Sequence, residues 1–189
     1  MRVYVVRHGE SENNRSLRWT GWMDVLLTEK GEEDARRAGA LLANTAFDKV
    51  YASDLRRAMR TAEIALPGCS YETTSLLREI NVGALENTPI HSEVFKQREH
   101  VARNGYGDIG GESRAEFAER VQQFMTQLET CGCETVAAFS HGGWLRQMLT
   151  DFDGRSPQDL AGRILRESGR RMGSGDDRTV TVLKLDVRT

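Results

Sequence analysis

Val3-Tyr4-Val5-Val6 is a short, unbroken run of largely β-branched apolar residues that stops at Arg7-His8-Gly9. Such a run predicts a strand buried on both faces, and strands of that kind belong to mainly parallel sheets covered by helices on each side. Thr135 to Phe139 repeats the pattern and stops at Ser140-His141-Gly142-Gly143, where a helix from Trp144 to about Phe152 begins. Two buried strands therefore end on histidines, in a chain that has only 4.

The intervening sequence alternates strand and helix signals. Thr28 can cap a helix that places Ala35, Ala38, Gly39 and Leu42 on one face. Lys49 to Ala52 reads as a strand, and Ser53 or Asp54 as the cap of a helix carrying Leu55, Ala58, Ala62 and Ala65, ended by Pro67-Gly68. A weaker strand falls at Ser70 to Thr74. Ser113 and Glu116 form a capping box before Phe117, Val121, Phe124, Met125 and Leu128, and Thr179 to Leu185 reads as a closing strand. This order predicts an α/β fold: a three-layer sandwich with a mainly parallel central sheet and helices on both faces. The 189 residues suit a single domain, 1–189, with a small helical substrate lobe at about 88–112 over the strand ends.

In open α/β sheets ligands bind beyond the carboxyl ends of the strands, where His8 and His141 lie. Neutral imidazole is a competent nucleophile, and its ordinary pKa of about 6.5 leaves it mostly unprotonated at neutral pH. A phosphate ester is a natural target if guanidinium groups neutralise its oxygens, and their planar forks match pairs of phosphate oxygens. Arg7 adjoins His8, and Arg57 lies early in the second helix. Arg56 and Arg60 share that helix, and spacing alone does not choose among the three. His141 can donate to a phosphoryl oxygen as charge builds on it. A carboxyl group such as Glu79 can protonate the leaving oxygen.

Composition sets bounds on partners. Lys and Arg total 26 against 28 Asp and Glu, a net charge of -2, so no overall field favours nucleic acid. No stretch approaches the roughly 20 apolar residues of a membrane span, and the opening MRVYVV has no apolar leader pattern. Three cysteines form no regular disulfide framework, so a reducing, cytoplasmic setting is expected. Cys131-Gly132-Cys133 lacks a second ligand pair at zinc spacing and reads as a helix-to-strand turn. No metal is expected. Arg163, Arg166 and Arg170 share a helical face, and Asp159 and Glu167 nearby favour a solvated one.

Five blocks occur in one order: Arg7-His8-Gly9-Glu10-Ser11 with Asn14, Ser53-Asp54-Leu55-Arg56-Arg57-Ala58 with Thr61-Ala62, Leu77-Arg78-Glu79, Gly110-Gly111-Glu112-Ser113, and Ser140-His141-Gly142-Gly143. Together they resemble the histidine phosphatase superfamily, the phosphoglycerate mutase-like group. The resemblance implies that His8 is the phosphorylated nucleophile, that Arg7, Arg57 and His141 form the phosphate pocket with Asn14 lining it, and that Glu79 is the proton donor. Arg18-Trp19-Thr20-Gly21-Trp22-Met23-Asp24-Val25 and Leu27-Thr28-Glu29-Lys30-Gly31 resemble cofactor-dependent phosphoglycerate mutases, in which the counterparts of Arg18, Thr20 and Gly21 contact substrate. Three departures favour a phosphatase. The 88–112 region has no adjacent arginine pair, Val82 replaces an aromatic residue, and Gly143 replaces an asparagine. The resemblance thus implies a phosphomonoesterase acting on a small phosphorylated metabolite without a cofactor. The alternative is a mutase, which would need a bisphosphoglycerate primer. A non-catalytic phosphate-binding module is disfavoured by the intact set of nucleophile, clamps and acid.

Overall fold

A computed structural model describes residues 1–90, 104–153 and 182–186. Its elements in chain order are β1 (Arg2–Arg7), α1 (Glu12–Arg15), α2 (Glu29–Leu42), β2 (Lys49–Ser53), α3 (Arg56–Ala65), β3 (Glu72–Thr74), α4 (Arg114–Glu129), β4 (Thr135–Ser140), α5 (Gly142–Asp153) and β5 (Val182–Asp186). The strands form one sheet in the order β3-β2-β4-β1-β5. β1, β2 and β3 run parallel to their neighbours through β4 and β2, and β5 is the antiparallel edge strand. The fold is therefore mixed α/β with a mainly parallel sheet, as the alternation predicted. Of the closing strand read at Thr179 to Leu185, residues 179–181 lie outside the described residues.

The pleat sends alternate residues into two cores. Val3, Val5, Tyr51, Val136 and Ala138 point to one side, where Phe117, Val121, Phe124 and Leu128 of α4 and Trp144 and Met148 of α5 cover them. Val6, Val50, Ala52, Ala137 and Phe139 point to the other, under Ala38 and Leu42 of α2 and Ala62 and Ala65 of α3. This two-sided burial is why β1 and β4 are apolar throughout instead of alternating. Small residues let α2 and α3 approach closely: a Cβ on Gly39 would stand 2.6 Å from the Ala65 carbonyl oxygen.

Thr28 caps α2 by accepting the Gly31 amide, and Ser113 and Glu116 form the predicted reciprocal box on α4. The cap of α3 differs from the expectation. Neither Ser53 nor Asp54 caps it: Leu55 stands at the N-cap, and Asp24, from a distant loop, accepts the Arg56 amide at 2.8 Å. Ser53 closes β2 and Asp54 is drawn into a two-point ion pair with Arg78 at 2.7 Å, which leaves the helix start to a partner no local pattern reveals. The lobe read at about 88–112 is described only at its ends, since 91–103 lie outside the described residues, as do Arg163, Arg166 and Arg170.

Candidate active site

The parallel register of β1 and β4 pairs Arg7 with Ser140, so His8 and His141 leave the sheet side by side. The His8 amide donates to the Ser140 carbonyl at 3.0 Å, and the two rings meet edge to face with centroids 5.0 Å apart. His8 is buried. Its Nδ1 stands 2.7 Å from the Gly9 carbonyl oxygen, which can only accept. Nδ1 therefore carries the proton and Nε2 the lone pair. Burial, then the Arg57 and Arg7 charges, push the His8 pKa well below its ordinary value, and the Gly9 carbonyl offsets this only in part. A neutral imidazole with one fixed tautomer is the form that can attack phosphorus.

Arg57 lies in the first turn of α3, is 1% exposed, and sets its guanidinium against that nucleophile, with Nε 3.3 Å from His8 Nε2. Its Nη1 donates to the Met23 carbonyl and its Nη2 to the Gly21 carbonyl, each at 2.9 Å. Burial lowers the Arg57 pKa to about 10, which keeps it charged at neutral pH. Gly21 owes its identity to this loop: φ is +51°, and a Cβ would stand 2.7 Å from both the Glu86 carboxylate and Val82. Arg7 ends β1 with its guanidinium beside Gly142, whose Cβ, if present, would be 3.2 Å from Arg7 Nε.

His141 is wholly buried, with Nε2 2.9 Å from the Ser53 hydroxyl. That hydroxyl also accepts the Leu55 amide at 3.3 Å, and its own proton can be given to Nε2. With the Ser53 proton on that bond the His141 proton resides on Nδ1, which has no hydrogen-bond partner among the described residues. This orphan donor is the group a phosphoryl oxygen would satisfy. Burial, then the charge of Arg57 and the proximity of His8, hold the His141 pKa well below the ordinary range.

Glu79 sits across from this pair with both carboxyl oxygens engaged by backbone donors, Oε2 by the Gly143 amide and Oε1 by the Ile80 amide, each at 2.9 Å. Its own carbonyl is pinned by the Trp22 indole at 2.7 Å and by Arg120 at 3.0 Å. Trp22 thus stands between Gly21 and Met23, whose carbonyls hold Arg57, while its ring nitrogen holds the backbone of Glu79. Asn14 spends its side-chain oxygen on the Ser11 amide and hydroxyl, at 3.0 and 2.9 Å, to cap α1. Arg18 donates to the Asn87 carbonyl, and the Thr20 carbonyl accepts the Met23 amide at 2.9 Å. The structure therefore gathers His8, His141, Arg7 and Arg57 into one cationic pocket with Glu79 beside it, while Arg18 and Thr20 are engaged in holding the loop.

Several groups that hold the pocket were not among the predicted site residues. Ser53 and Thr61 lay within the recognised blocks. Thr61 accepts the Gly9 amide at 3.2 Å and the Ser53 hydroxyl holds His141 Nε2 at 2.9 Å. Gly9 itself follows from a close crossing: a Cβ there would stand 2.1 Å from the Gly31 carbonyl oxygen, and one on Gly31 would stand 2.0 Å from that of Glu10. The arginine-histidine-glycine block and the Leu27 to Gly31 block are thus two halves of one backbone contact. Among the described residues, no group of three or more His, Cys, Asp or Glu is placed to hold a metal ion.

Residues 3–171 match the family model of the histidine phosphatase superfamily, branch 1. The chain belongs to that superfamily. Among its relatives, the 2,3-bisphosphoglycerate-dependent phosphoglycerate mutase of Azorhizobium caulinodans is 34% identical over 179 residues, covering 86% of each chain. A probable phosphoglycerate mutase of Erwinia tasmaniensis is 40% identical over 138 residues, covering 69% of this chain and 63% of its own length. The solved structure of an Escherichia coli protein, provisionally named an alpha-ribazole-5'-P phosphatase, superposes with a TM-score of 0.75 at 25% identity, covering 86% of this chain and 84% of that one. This superfamily member therefore has a mutase or a phosphatase activity, and its relatives include proteins named as each. No helix among the described residues is long and apolar enough to cross a membrane.

Proposed function

We propose that the protein is a phosphomonoesterase that hydrolyses small phosphorylated metabolites through a phosphohistidine on His8, without a cofactor. The observation that carries this reading is the His8 imidazole, neutral, locked in one tautomer by Gly9 and set with its lone-pair nitrogen beside Arg57. In the first step Nε2 attacks phosphorus, the bond to the leaving oxygen breaks, and that oxygen takes a proton from Glu79. In the second step water attacks the phosphohistidine and gives its proton to the Glu79 carboxylate, and the phosphorus–nitrogen bond breaks to return neutral His8. Arg57 and Arg7 balance the phosphoryl charge throughout, and His141 Nδ1 donates to an oxygen whose charge grows in the transition state. Asn14 is assigned to the same pocket by the family resemblance, its side-chain oxygen being held at Ser11. Three free cysteines, Cys69, Cys131 and Cys133, fit a reducing cytoplasmic setting.

Gly143 and Val82 favour transfer to water, whereas the Arg18 to Val25 loop and the Azorhizobium relative favour a second reading as a phosphoglycerate mutase. One screen decides between them: phosphometabolites assayed with and without a bisphosphorylated sugar acid as primer. Release of inorganic phosphate that needs no primer and disappears in His8→Ala supports the hydrolase. Primer-dependent interconversion of phosphoglycerates would replace it with the mutase, and phosphate binding without turnover would overturn both.

A further inference from the structure

We propose that Gly143, by lacking a side chain, is the positioning residue that seats the Glu79 carboxylate and so governs proton transfer in this site. The inference rests on the reading of Glu79 as the acid and base of the proposed reaction. Gly143 is the second residue of α5, and its amide donates to Glu79 Oε2 at 2.9 Å. An ideal Cβ on Gly143 would stand 2.1 Å from Glu79 Oε1, 3.0 Å from Cδ and 3.3 Å from Oε2. No rotation at residue 143 relieves such an overlap, because a Cβ position is fixed by the backbone.

Nothing else on this stretch requires glycine. Gly143 is not among the positive-φ residues, and alanine is a better helix former than glycine. The overlap must therefore be relieved elsewhere, and most of the surroundings are pinned. The Glu79 backbone is held through its carbonyl by Trp22 and Arg120. The start of α5 is held by the Leu145 amide on the His141 carbonyl at 3.0 Å, and His141 by Ser53. The movable part is the Glu79 side chain, which has three rotatable bonds. A methyl group at 143 swings the carboxyl group off the 143 amide and leaves the fold, the two histidines and the two arginines in place.

The test uses Gly143→Ala in the full-length protein, with two readouts. The first is kcat/KM on an alkyl phosphate, whose alkoxide needs a proton to leave, and on an aryl phosphate, whose stable phenolate does not. Because kcat/KM reports only the phosphorylation step, a displaced acid is expected to lower the alkyl value by about tenfold or more and the aryl value by less than about threefold. In a Glu79→Gln background the same substitution is expected to add no further loss. Equal losses on both substrates, no loss, or full additivity with Glu79→Gln would overturn the proposal.

The second readout needs no activity. The Gly143 amide donates to Glu79 Oε2, so its chemical shift responds to the protonation of that carboxylate, and a pH series followed by NMR is expected to show a transition at residue 143 that Glu79→Gln removes. Arg57 and Tyr106 lie within electrostatic reach of Glu79 and keep their charge states on acidification, Tyr106 because burial raises its pKa, while Arg120 holds the Glu79 carbonyl and carries Glu112 beside it. His8 and His141 are close enough to be confused with the Glu79 transition, and Glu79→Gln distinguishes them by removing only the carboxyl transition. Gly143→Ala is expected to abolish that transition at residue 143, and its persistence would overturn the proposal. A wild-type protein without phosphoester turnover would sink the hydrolase reading alone, and the amide titration would still decide where Glu79 sits.

Discussion

Arg120 is the residue whose loss should most directly loosen the segment that carries Glu79. It is 11% exposed, and all of its guanidinium donors are used. Nε and Nη2 meet the two oxygens of Glu112 at 2.7 and 2.8 Å, Nη1 meets the Leu76 and Arg78 carbonyls at 3.1 and 2.8 Å, and Nη2 also meets the Glu79 carbonyl at 3.0 Å. Glu112 in turn accepts the Asn81 amide at 2.7 Å, so the pair fastens residues 76–81 to the start of α4. In Arg120→Met the Leu76 carbonyl keeps the Trp144 indole and the Glu79 carbonyl keeps the Trp22 indole, each as a second donor. The Arg78 carbonyl keeps none among the described residues, a cost of about 1 kcal/mol. Glu112, with 14% of its side chain exposed, is left as a largely desolvated carboxylate. Breaking a buried pair in this way costs roughly 3–5 kcal/mol at the fully buried limit, and the residual exposure brings it to about 2–4. The expected total is about 3–5 kcal/mol, read as a lower urea midpoint at unchanged slope. Arg120→Met with Glu112→Leu is expected to recover much of the loss, because the stranded charge goes with it. A single-variant loss below about 1 kcal/mol, or a double variant that costs the sum of its parts, would refute the role of the pair.

Three further outcomes follow from the same geometry. His8 and His141 are held neutral in the folded protein, whereas in the unfolded chain they protonate near pH 6.5. Acid therefore favours unfolding: stability should fall as pH drops below about 6.5, by about 1.4 kcal/mol per unit for each histidine, and level off above it. Urea melts between pH 5 and 8 check this, and a slope in that window that is unchanged in His141→Asn would contradict it. Arg57→Lys retains a charge but cannot span the Met23 and Gly21 carbonyls and His8 together, so kcat/KM should drop by about 100-fold or more in steady-state assays. Gly9→Ala presses a methyl group onto the Gly31 backbone, which no rotamer relieves. It should cost about 1–3 kcal/mol by denaturant titration, and wild-type stability would mean that the crossing is looser than described.

The parts legible in the sequence were those governed by local periodicity or by strand ends. β1 and β4 announce themselves because burial on both faces demands unbroken apolar runs, and their shared ending on a histidine puts His8 beside His141 once the strands pair in parallel. The caps at Thr28 and Ser113 were readable because each bonds an amide three residues on. Long-range choices were not readable. Arg56, Arg57 and Arg60 look alike in sequence, and Arg57 is singled out only by a loop carbonyl on either side of Trp22, more than 30 positions away. Asp24 caps α3 across a similar separation, and the Arg120–Glu112 pair spans a helix start without a distinctive spacing. The resemblance identified Arg57 and Glu79 as site residues, but not that Gly143 and Glu79 occupy each other's space.

The most direct measurement of the central assignment is to trap the phosphoenzyme. Brief reaction with a radiolabelled phosphate ester, alkaline quench and peptide mapping are expected to yield one phosphate, stable to base and lost in acid, on His8. His8→Ala should give none. Turnover with inversion at phosphorus, or label on any other residue, would contradict the account.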